Sequence, residues 1–204
     1  MLTLYYAPRT AALAVHIALI DAGADYTLRR LDFSKNAQRM PDYLAVNPKA
    51  RVPALVTPQG VLTETPALLA WIAQTYPQAG LAPSDPFAFA VLQSFNAYLC
   101  ATLHPAHAHG PRAYRWTDDP AAQAALKSYV PTSLGACFKL VEDALLAGPY
   151  VLGSSYSVAD PYLYTMSRWI EGDGVDPGPI PRVMAHRAMM DARPSVIRAL
   201  AEQA

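Results

Sequence analysis

The sequence has little cysteine, little charge and no excess of either sign. Only two of its 204 residues are cysteines, and 16 lysines and arginines balance 16 aspartates and glutamates. Two cysteines are too few for a disulfide framework and are typical of a reducing, cytoplasmic compartment. The zero net charge argues against a nucleic-acid-binding or anionic-membrane surface, because both need a basic excess. The hydrophobic content of 52% suffices for a substantial core and excludes a disordered chain.

One long segment without charge suggests a membrane helix. Positions 87–111 contain no Asp, Glu, Lys or Arg. They do contain Gln93, Asn96, three histidines and Pro105, whose polar groups a bilayer span would leave without partners. We therefore expect a buried helix in a protein without a membrane span. The first six residues, MLTLYY, lack the basic region of a secretory signal, so none is expected.

The first 77 residues alternate strand-like and helix-like patterns. Leu13, Ile17 and Ile20 recur at helical spacing, and Gly23 follows where a left-handed residue can end a helix. Two β-prone runs at 53–57 and 61–63 flank a turn sequence, which indicates a hairpin. The predicted elements are a strand at 2–6, the helix before Gly23, a strand at 26–31, an irregular helical segment within 34–47, the hairpin, and a helix from Thr65 to Tyr76.

After residue 77 the strand-like patterns disappear. Asp85–Pro86 and Asp119–Pro120 each combine a capping side chain with a first-turn proline, which is typical of a helix start. We expect Pro105 to break the first of these helices. Further helices are predicted from the capping box at 157–160 to Trp169, around 182–190 and around 195–203. The sequence thus predicts an α/β domain over 1–77, a linker over 78–85 and an all-helical domain over 86–204.

Five short motifs occur in order along the chain. They are LYYAP at 4–8, HIAL at 16–19, NPKARVPAL at 47–55, LTET at 62–65 and SVAD at 157–160. Together they resemble the glutathione S-transferase family, in particular its bacterial beta-like class, over essentially the whole chain. The resemblance implies a thioredoxin-like first domain that binds glutathione as co-substrate, a helical second domain, a homodimer, and a detoxifying transfer of glutathione to small hydrophobic electrophiles. It implies no metal and no nucleic-acid or membrane partner.

The Val52–Pro53 step is the first candidate site element. An X-Pro step at the start of a strand can be cis and can leave the preceding N–H and C=O unpaired. An extended peptide can then pair with these groups as an additional strand. From composition alone an ordinary strand-initiating proline is the favoured interpretation. The resemblance reverses this preference, because it implies that Val52 pairs with the cysteinyl unit of glutathione and that Pro53 is cis.

Glu64 and Thr65 form the second candidate element. The Thr65 hydroxyl and the free N–H groups of a helix start suit a carboxylate, and Glu64 offers the charge opposite to an ammonium group. The pair therefore suits an amino acid, such as the γ-glutamyl end of glutathione. Thr65 as a simple cap with a solvated Glu64 is the alternative. Lys35 and Arg51 are candidates for the glycyl carboxylate.

The third candidate element would activate the thiol. Beta-class enzymes carry a cysteine one residue into the first helix, and the matching position here is Ala11. The candidate catalytic residues are then Thr10 at the helix start, Tyr6 at the end of the first strand, and His104, which matches a histidine of the family's cleft. A helix N-terminus favours thiolate over thiol, so a site without cysteine can still activate a bound thiol.

Several other polar residues have simpler explanations. His16 shares an apolar helix face and is expected to be structural. Cys100, His104, His107 and His109 lie close together in sequence, but their spacing and the missing carboxylate make a metal site improbable. We expect the acceptor pocket between the domains, near His104, Tyr114 and Trp169. A glutathione-dependent isomerase or dehalogenase, or a non-enzymatic module associated with transcription, are the alternative functions.

Overall fold

A four-stranded mixed sheet forms the first part of the molecule. The computed structural model covers residues 1–204. The strands are β1 (Leu2–Tyr6), β2 (Tyr26–Arg30), β3 (Ala54–Thr57) and β4 (Gly60–Thr63), in the spatial order β2-β1-β3-β4. β1 is parallel to β2 and antiparallel to β3, and β3 and β4 form the predicted hairpin. This mixed sheet, packed with helices, is the thioredoxin-like arrangement that the motifs imply.

Three helices accompany the sheet. They are α1 (Ala12–Asp21), the single turn α2 (Pro41–Leu44) and α3 (Thr65–Thr75). α1 is buried over most of its length because it lies between the sheet and the second part of the chain, and Gly23 behind it has the predicted positive φ of 65°. The expected cap of α3 is displaced by one residue, since Glu64 takes the cap position and Thr65 is already helical.

The second part of the chain is entirely helical. Its helices are α4 (Pro86–Tyr98), α5 (His104–Ala108), α6 (Pro120–Leu140), α7 (Ala159–Ser167), α8 (Pro181–Asp191) and α9 (Pro194–Glu202). The Asp85 and Asp119 side chains cap α4 and α6 as predicted, accepting hydrogen bonds from Ala88 and Ala121. α7 lies against α1 and thereby joins the two parts through one hydrophobic core.

The expectation that Pro105 breaks its helix is wrong. Residues 99–103 widen into a turn with five-residue hydrogen bonding, and the helix continues through Pro105 as α5. A π-turn of this kind absorbs the missing proline N–H, which a regular α-turn cannot do. By length and composition this continuous helix, Pro86–Ala108, could cross a membrane. The helix is also less buried than expected: only 28% of its most apolar stretch is buried, and Phe87 is 78% exposed.

His16 is the structural residue that its position in the apolar face of α1 predicts. The ring is fully buried, Nε2 lies 2.9 Å from Glu202 Oε2, and Nδ1 lies 3.1 Å from Gln203. Both partners come from the end of α9, so the histidine ties the C-terminal segment to α1. Burial is the largest influence on the ring and lowers the pKa of His16 below its usual value. Its polar atoms are used within the fold and are not available for catalysis.

Candidate functional site

Two cavities of similar size meet at the start of α1. The first, here called the groove, has a volume of about 820 Å³ and lies between the sheet and the helix that contains His104. The second cavity has a volume of about 790 Å³ and extends from α1 toward α6, α7 and the C-terminus. Of the candidate site residues, seven line the groove: Thr10, Arg51, Val52, Pro53, Glu64, Thr65 and His104. Lys35 and Tyr6 do not line it.

Val52 offers an unpaired backbone edge to the groove. The Val52–Pro53 bond is cis, in agreement with the resemblance, and the β3 ladder begins only at Ala54. Neither the N–H nor the C=O of Val52 makes a hydrogen bond within the protein. The loop before it is fixed, because the Asn47 side chain donates to the Arg51 carbonyl at 2.7 Å. An extended peptide can therefore add to this edge with both hydrogen bonds that a strand would make.

The start of α3 presents charge and free donors side by side. Glu64 has a φ of 73°, a conformation that non-glycine residues adopt mostly where the surrounding structure imposes it, often at functional sites. The backbone N–H of Thr65 has no backbone partner within the protein, and Thr65 is 5% exposed. An α-carboxylate can accept hydrogen bonds from Thr65 while its neighbouring ammonium group meets Glu64.

Lys49 is a groove residue that sequence reasoning missed. Its Nζ lies 2.6 Å from Glu64 Oε1 and 2.8 Å from Thr63 Oγ1. Lys35 does not line the groove: its side chain is 82% exposed, and its Nζ lies 3.6 Å from Asp32 Oδ2. Lys49 belongs to the NPKARVPAL motif, three residues before Val52, and this closeness in sequence was the signal that could have identified it as a groove residue.

The residues directly before helix α1 border the two cavities. Thr10 lines both, and Ala11 lines the groove. The Thr10 hydroxyl donates to the Ala7 carbonyl at 2.7 Å, and only a long contact of 3.4 Å reaches it from the Ala12 N–H. The Ala11 N–H has no partner, so it is the free donor at this helix end. Tyr6 is 5% exposed and lines neither cavity.

His104 enters the groove as a neutral side chain. It makes no hydrogen bond, and its ring centroid lies 5.1 Å from that of Trp169. Burial is the main cause that lowers the pKa of His104 to about 3, and Arg112, His107, Arg115 and Arg51 add to the effect. The imidazole is therefore uncharged at neutral pH and can accept or donate one hydrogen bond, but cannot act as a cation.

The low pKa of His104 predicts a pH-dependent stability. The folded protein resists protonation of the ring, whereas the unfolded chain takes up the proton below about pH 6.5. Stability is therefore lost as the pH falls from 6.5 toward 3, and by pH 5 the loss reaches at most about 2 kcal/mol. Denaturant unfolding at pH 7 and pH 5 measures it. His104→Gln should show a smaller pH dependence than the wild type, and equal dependence in both would contradict the assignment.

The residues considered for a metal site separate in the structure. Cys100 lines the groove as a protonated thiol, since burial raises its pKa. His107 hydrogen-bonds to Asp173, and His109 packs edge-on against Trp116 with ring centroids 4.3 Å apart. No three His, Cys, Asp or Glu side chains gather in a way that could hold a metal ion. Tyr114 and Trp169, expected at the acceptor pocket, both line the groove.

Comparison with known proteins places the chain in a family. Residues 1–74 match the family model described as glutathione S-transferase, N-terminal domain. The chain is 30% identical to glutathione S-transferase GstA of Escherichia coli O157:H7 over 98% of both chains, and 28% identical to a maleylacetoacetate isomerase of Pseudomonas aeruginosa over 93% of this chain and 94% of that protein. A glutathione transferase homologue from Sulfitobacter, crystallised with bound glutathione, superposes with a TM-score of 0.96 at 44% identity, covering 99% of this chain and 98% of the other. The chain therefore belongs to the glutathione S-transferase family.

Proposed function

We propose that the protein binds glutathione in the groove and transfers it, as a thiolate nucleophile, to small hydrophobic electrophiles. The unpaired backbone edge of Val52 is the observation that carries this proposal. It lies beside the charged start of α3, so a peptide paired with Val52 can place an α-amino acid group on Glu64 and Thr65. Glutathione joins its cysteinyl unit to such a group through the γ-glutamyl bond. Arg51 and Lys49 are then the groove residues that can contact the glycyl carboxylate of glutathione.

The start of α1 is the thiol-activating element in this proposal. A free thiol has a pKa of about 8.5 and is mostly protonated at neutral pH. The unpaired Ala11 N–H and the positive end of the α1 dipole favour the thiolate when the sulfur lies against this turn. Stabilising the anion and holding it near the acceptor then lower the barrier together. Trp169 and Tyr114 give the acceptor an aromatic surface.

The finer assignments belong to the same proposal. We assign the chain to the beta-like class without its cysteine, with domains at 1–77 and 86–204 joined by 78–85, acting in the cytoplasm. The gap between the end of α3 at Thr75 and the start of α4 at Pro86 supports these boundaries.

A homodimer is supported by the exposed apolar residues Phe87 and Val91 on α4. Light scattering should return about twice the 22.1 kDa chain mass, and a value near 22 kDa would contradict the dimer.

Retention on immobilised glutathione followed by a conjugation assay tests the function. We expect the protein to bind the resin, to elute with free glutathione, and to conjugate a chloronitrobenzene acceptor faster than the uncatalysed reaction. Binding without any conjugation, despite a folded protein, would favour a binding module. Failure to bind glutathione at all would overturn the proposal.

A glutathione-dependent isomerase is the second candidate. The similarity to a maleylacetoacetate isomerase supports it, and so does Arg112, a partly buried groove residue whose guanidinium makes no hydrogen bond within the protein. Arg112 could hold a carboxylate of an unsaturated acid. An isomerase would convert a cis diacid to its trans form without consuming glutathione, so measuring free thiol before and after turnover distinguishes the two reactions.

Thr10 and Tyr6 should differ in their effects on turnover. The Thr10 hydroxyl holds the loop before α1 through its bond to Ala7, so Thr10→Ala should lower the conjugation rate about two- to tenfold, the effect of one hydrogen bond. Tyr6→Phe should leave the rate unchanged because Tyr6 contributes to neither cavity. Steady-state kinetics with saturating glutathione measure both. A collapse of activity in Tyr6→Phe alone would replace the helix-start mechanism with a tyrosine mechanism.

A further inference from the structure

His107 and Asp173 form a hydrogen-bonded couple next to the groove. His107 Nδ1 lies 2.6 Å from Asp173 Oδ2, and the two side chains are only 14% and 10% exposed. The imidazole is stacked on Trp169 with centroids 4.0 Å apart and planes inclined by 19°. Position and rotation of the ring are therefore both fixed, by the carboxylate on one edge and by the indole on one face.

This couple lies at the boundary of the two cavities. Four residues line both the groove and the second cavity: Arg9, Thr10, His107 and Trp169. Asp173 lines the second cavity only. Because Asp173 occupies the Nδ1 edge on that side, the Nε2 edge is the part of the ring left for the groove. Nε2 makes no hydrogen bond within the protein, and Thr10 at the start of α1 borders the same space.

No other histidine combines a carboxylate partner with access to the cavities. His16 uses both ring nitrogens within the fold, and His186 is buried against Asp160. His104 lines the groove without a carboxylate partner, and His109 lines neither cavity. A carboxylate on Nδ1 keeps the neutral ring in the tautomer whose Nε2 carries a lone pair, which is the form a general base needs.

We propose that His107, oriented by Asp173, transfers the proton of the conjugation reaction, an inference that rests on the proposed function. Nε2 takes the proton of the glutathione thiol, which leaves a thiolate and an imidazolium paired with Asp173. The thiolate forms the new carbon–sulfur bond as the bond to the leaving group breaks, and the leaving group departs with its electron pair. The leaving group remains an anion, chloride in the case of a chloronitrobenzene, and the imidazolium releases its proton to water, which restores neutral His107.

A structural clamp is the competing explanation. The couple joins α5 to the segment after α7, 66 residues apart in sequence, and could simply hold them together. The two roles differ in what a small base can replace. Free imidazole can enter the space left by His107→Ala beside Trp169 and accept the thiol proton, but it cannot restore a broken link between two segments.

Chemical rescue therefore tests the proposal, with His109→Ala as the matched control. We expect His107→Ala to lower kcat about a hundredfold or more while the calorimetric glutathione Kd changes less than threefold. Added imidazole should restore the rate with saturation. His109→Ala removes a histidine of the same helix end that lies outside both cavities. It should keep the wild-type rate, and added imidazole should not change that rate.

Asp173→Asn provides the second variant. It should lower kcat because the ring loses its fixed tautomer, again with little change in the glutathione Kd, and imidazole should not restore it. Wild-type rates in both variants, or a loss in His107→Ala that imidazole leaves unchanged, would overturn the role of His107 while the function stands. A wild type that binds no glutathione overturns the proposed function itself.

Discussion

Replacing Asp160 with alanine is expected to lower the free energy of unfolding by about 3–5 kcal/mol, the usual effect of removing one member of a buried charged network. The carboxylate is fully buried. It accepts hydrogen bonds from the backbone N–H groups of Val151 at 2.8 Å and Ser157 at 2.7 Å, and lies 3.1 Å from His186 Nε2. Alanine would leave two buried N–H groups and a buried imidazole without their partner, each with its own desolvation cost.

Denaturant unfolding with a surface control measures this effect. Asp143 is also an acidic residue, but it is 54% exposed and pairs with Lys139 along one helix face. Asp143→Ala should therefore change stability by less than about 1 kcal/mol. The midpoint for Asp160→Ala should move far below that of both the wild type and Asp143→Ala. Coincident unfolding curves for the two variants would show that the Asp160 network contributes no more than a surface pair.

Local chemistry explains which parts of the fold the sequence predicts well. Asp85–Pro86 and Asp119–Pro120 define helix starts through a side-chain cap and a fixed φ, and both need no information from elsewhere in the chain. The capping box of Ser157 and Asp160 is equally local, and the Ser157 N–H does donate to the carboxylate. The contacts of the Asp160 carboxylate with Val151 and His186 are tertiary contacts, and the sequence pattern at 157–160 does not predict them.

Features that depend on residues far apart in the chain are not predictable from local sequence patterns. Pro105 is a helix breaker by its own chemistry, yet the π-turn before it keeps the helix continuous. Strand alternation shows that Tyr5 and Tyr6 face opposite sides but not which side holds the cleft. In the structure Tyr6 is buried, Tyr5 packs against Tyr43 with ring centroids 5.3 Å apart, and neither tyrosine lines the groove. His107 and Asp173 meet only because α5 and the segment after α7 are adjacent.

Changing Glu64 to glutamine should weaken glutathione binding about ten- to a hundredfold, the effect of one charge-assisted hydrogen bond. Glutamine has the same side-chain length as glutamate and the same steric cost at the positive φ of position 64, so only the charge changes. Glu64 and Lys49 are about half exposed, and such pairs contribute at most about 1 kcal/mol to stability. The loss should therefore appear in the calorimetric Kd and not in the unfolding midpoint.

A modified ligand identifies which group of glutathione Glu64 holds. N-acetylglutathione lacks the α-ammonium charge but keeps both carboxylates and the thiol. The wild type should bind glutathione much more tightly than the acetylated form, and Glu64→Gln should lose most of this preference because the two changes remove the same interaction. Asp42→Asn, an exposed acidic position outside the groove, should keep the full preference. If Glu64→Gln also keeps it, the ammonium group is bound elsewhere, and the orientation of glutathione along Val52 must be reversed or shifted.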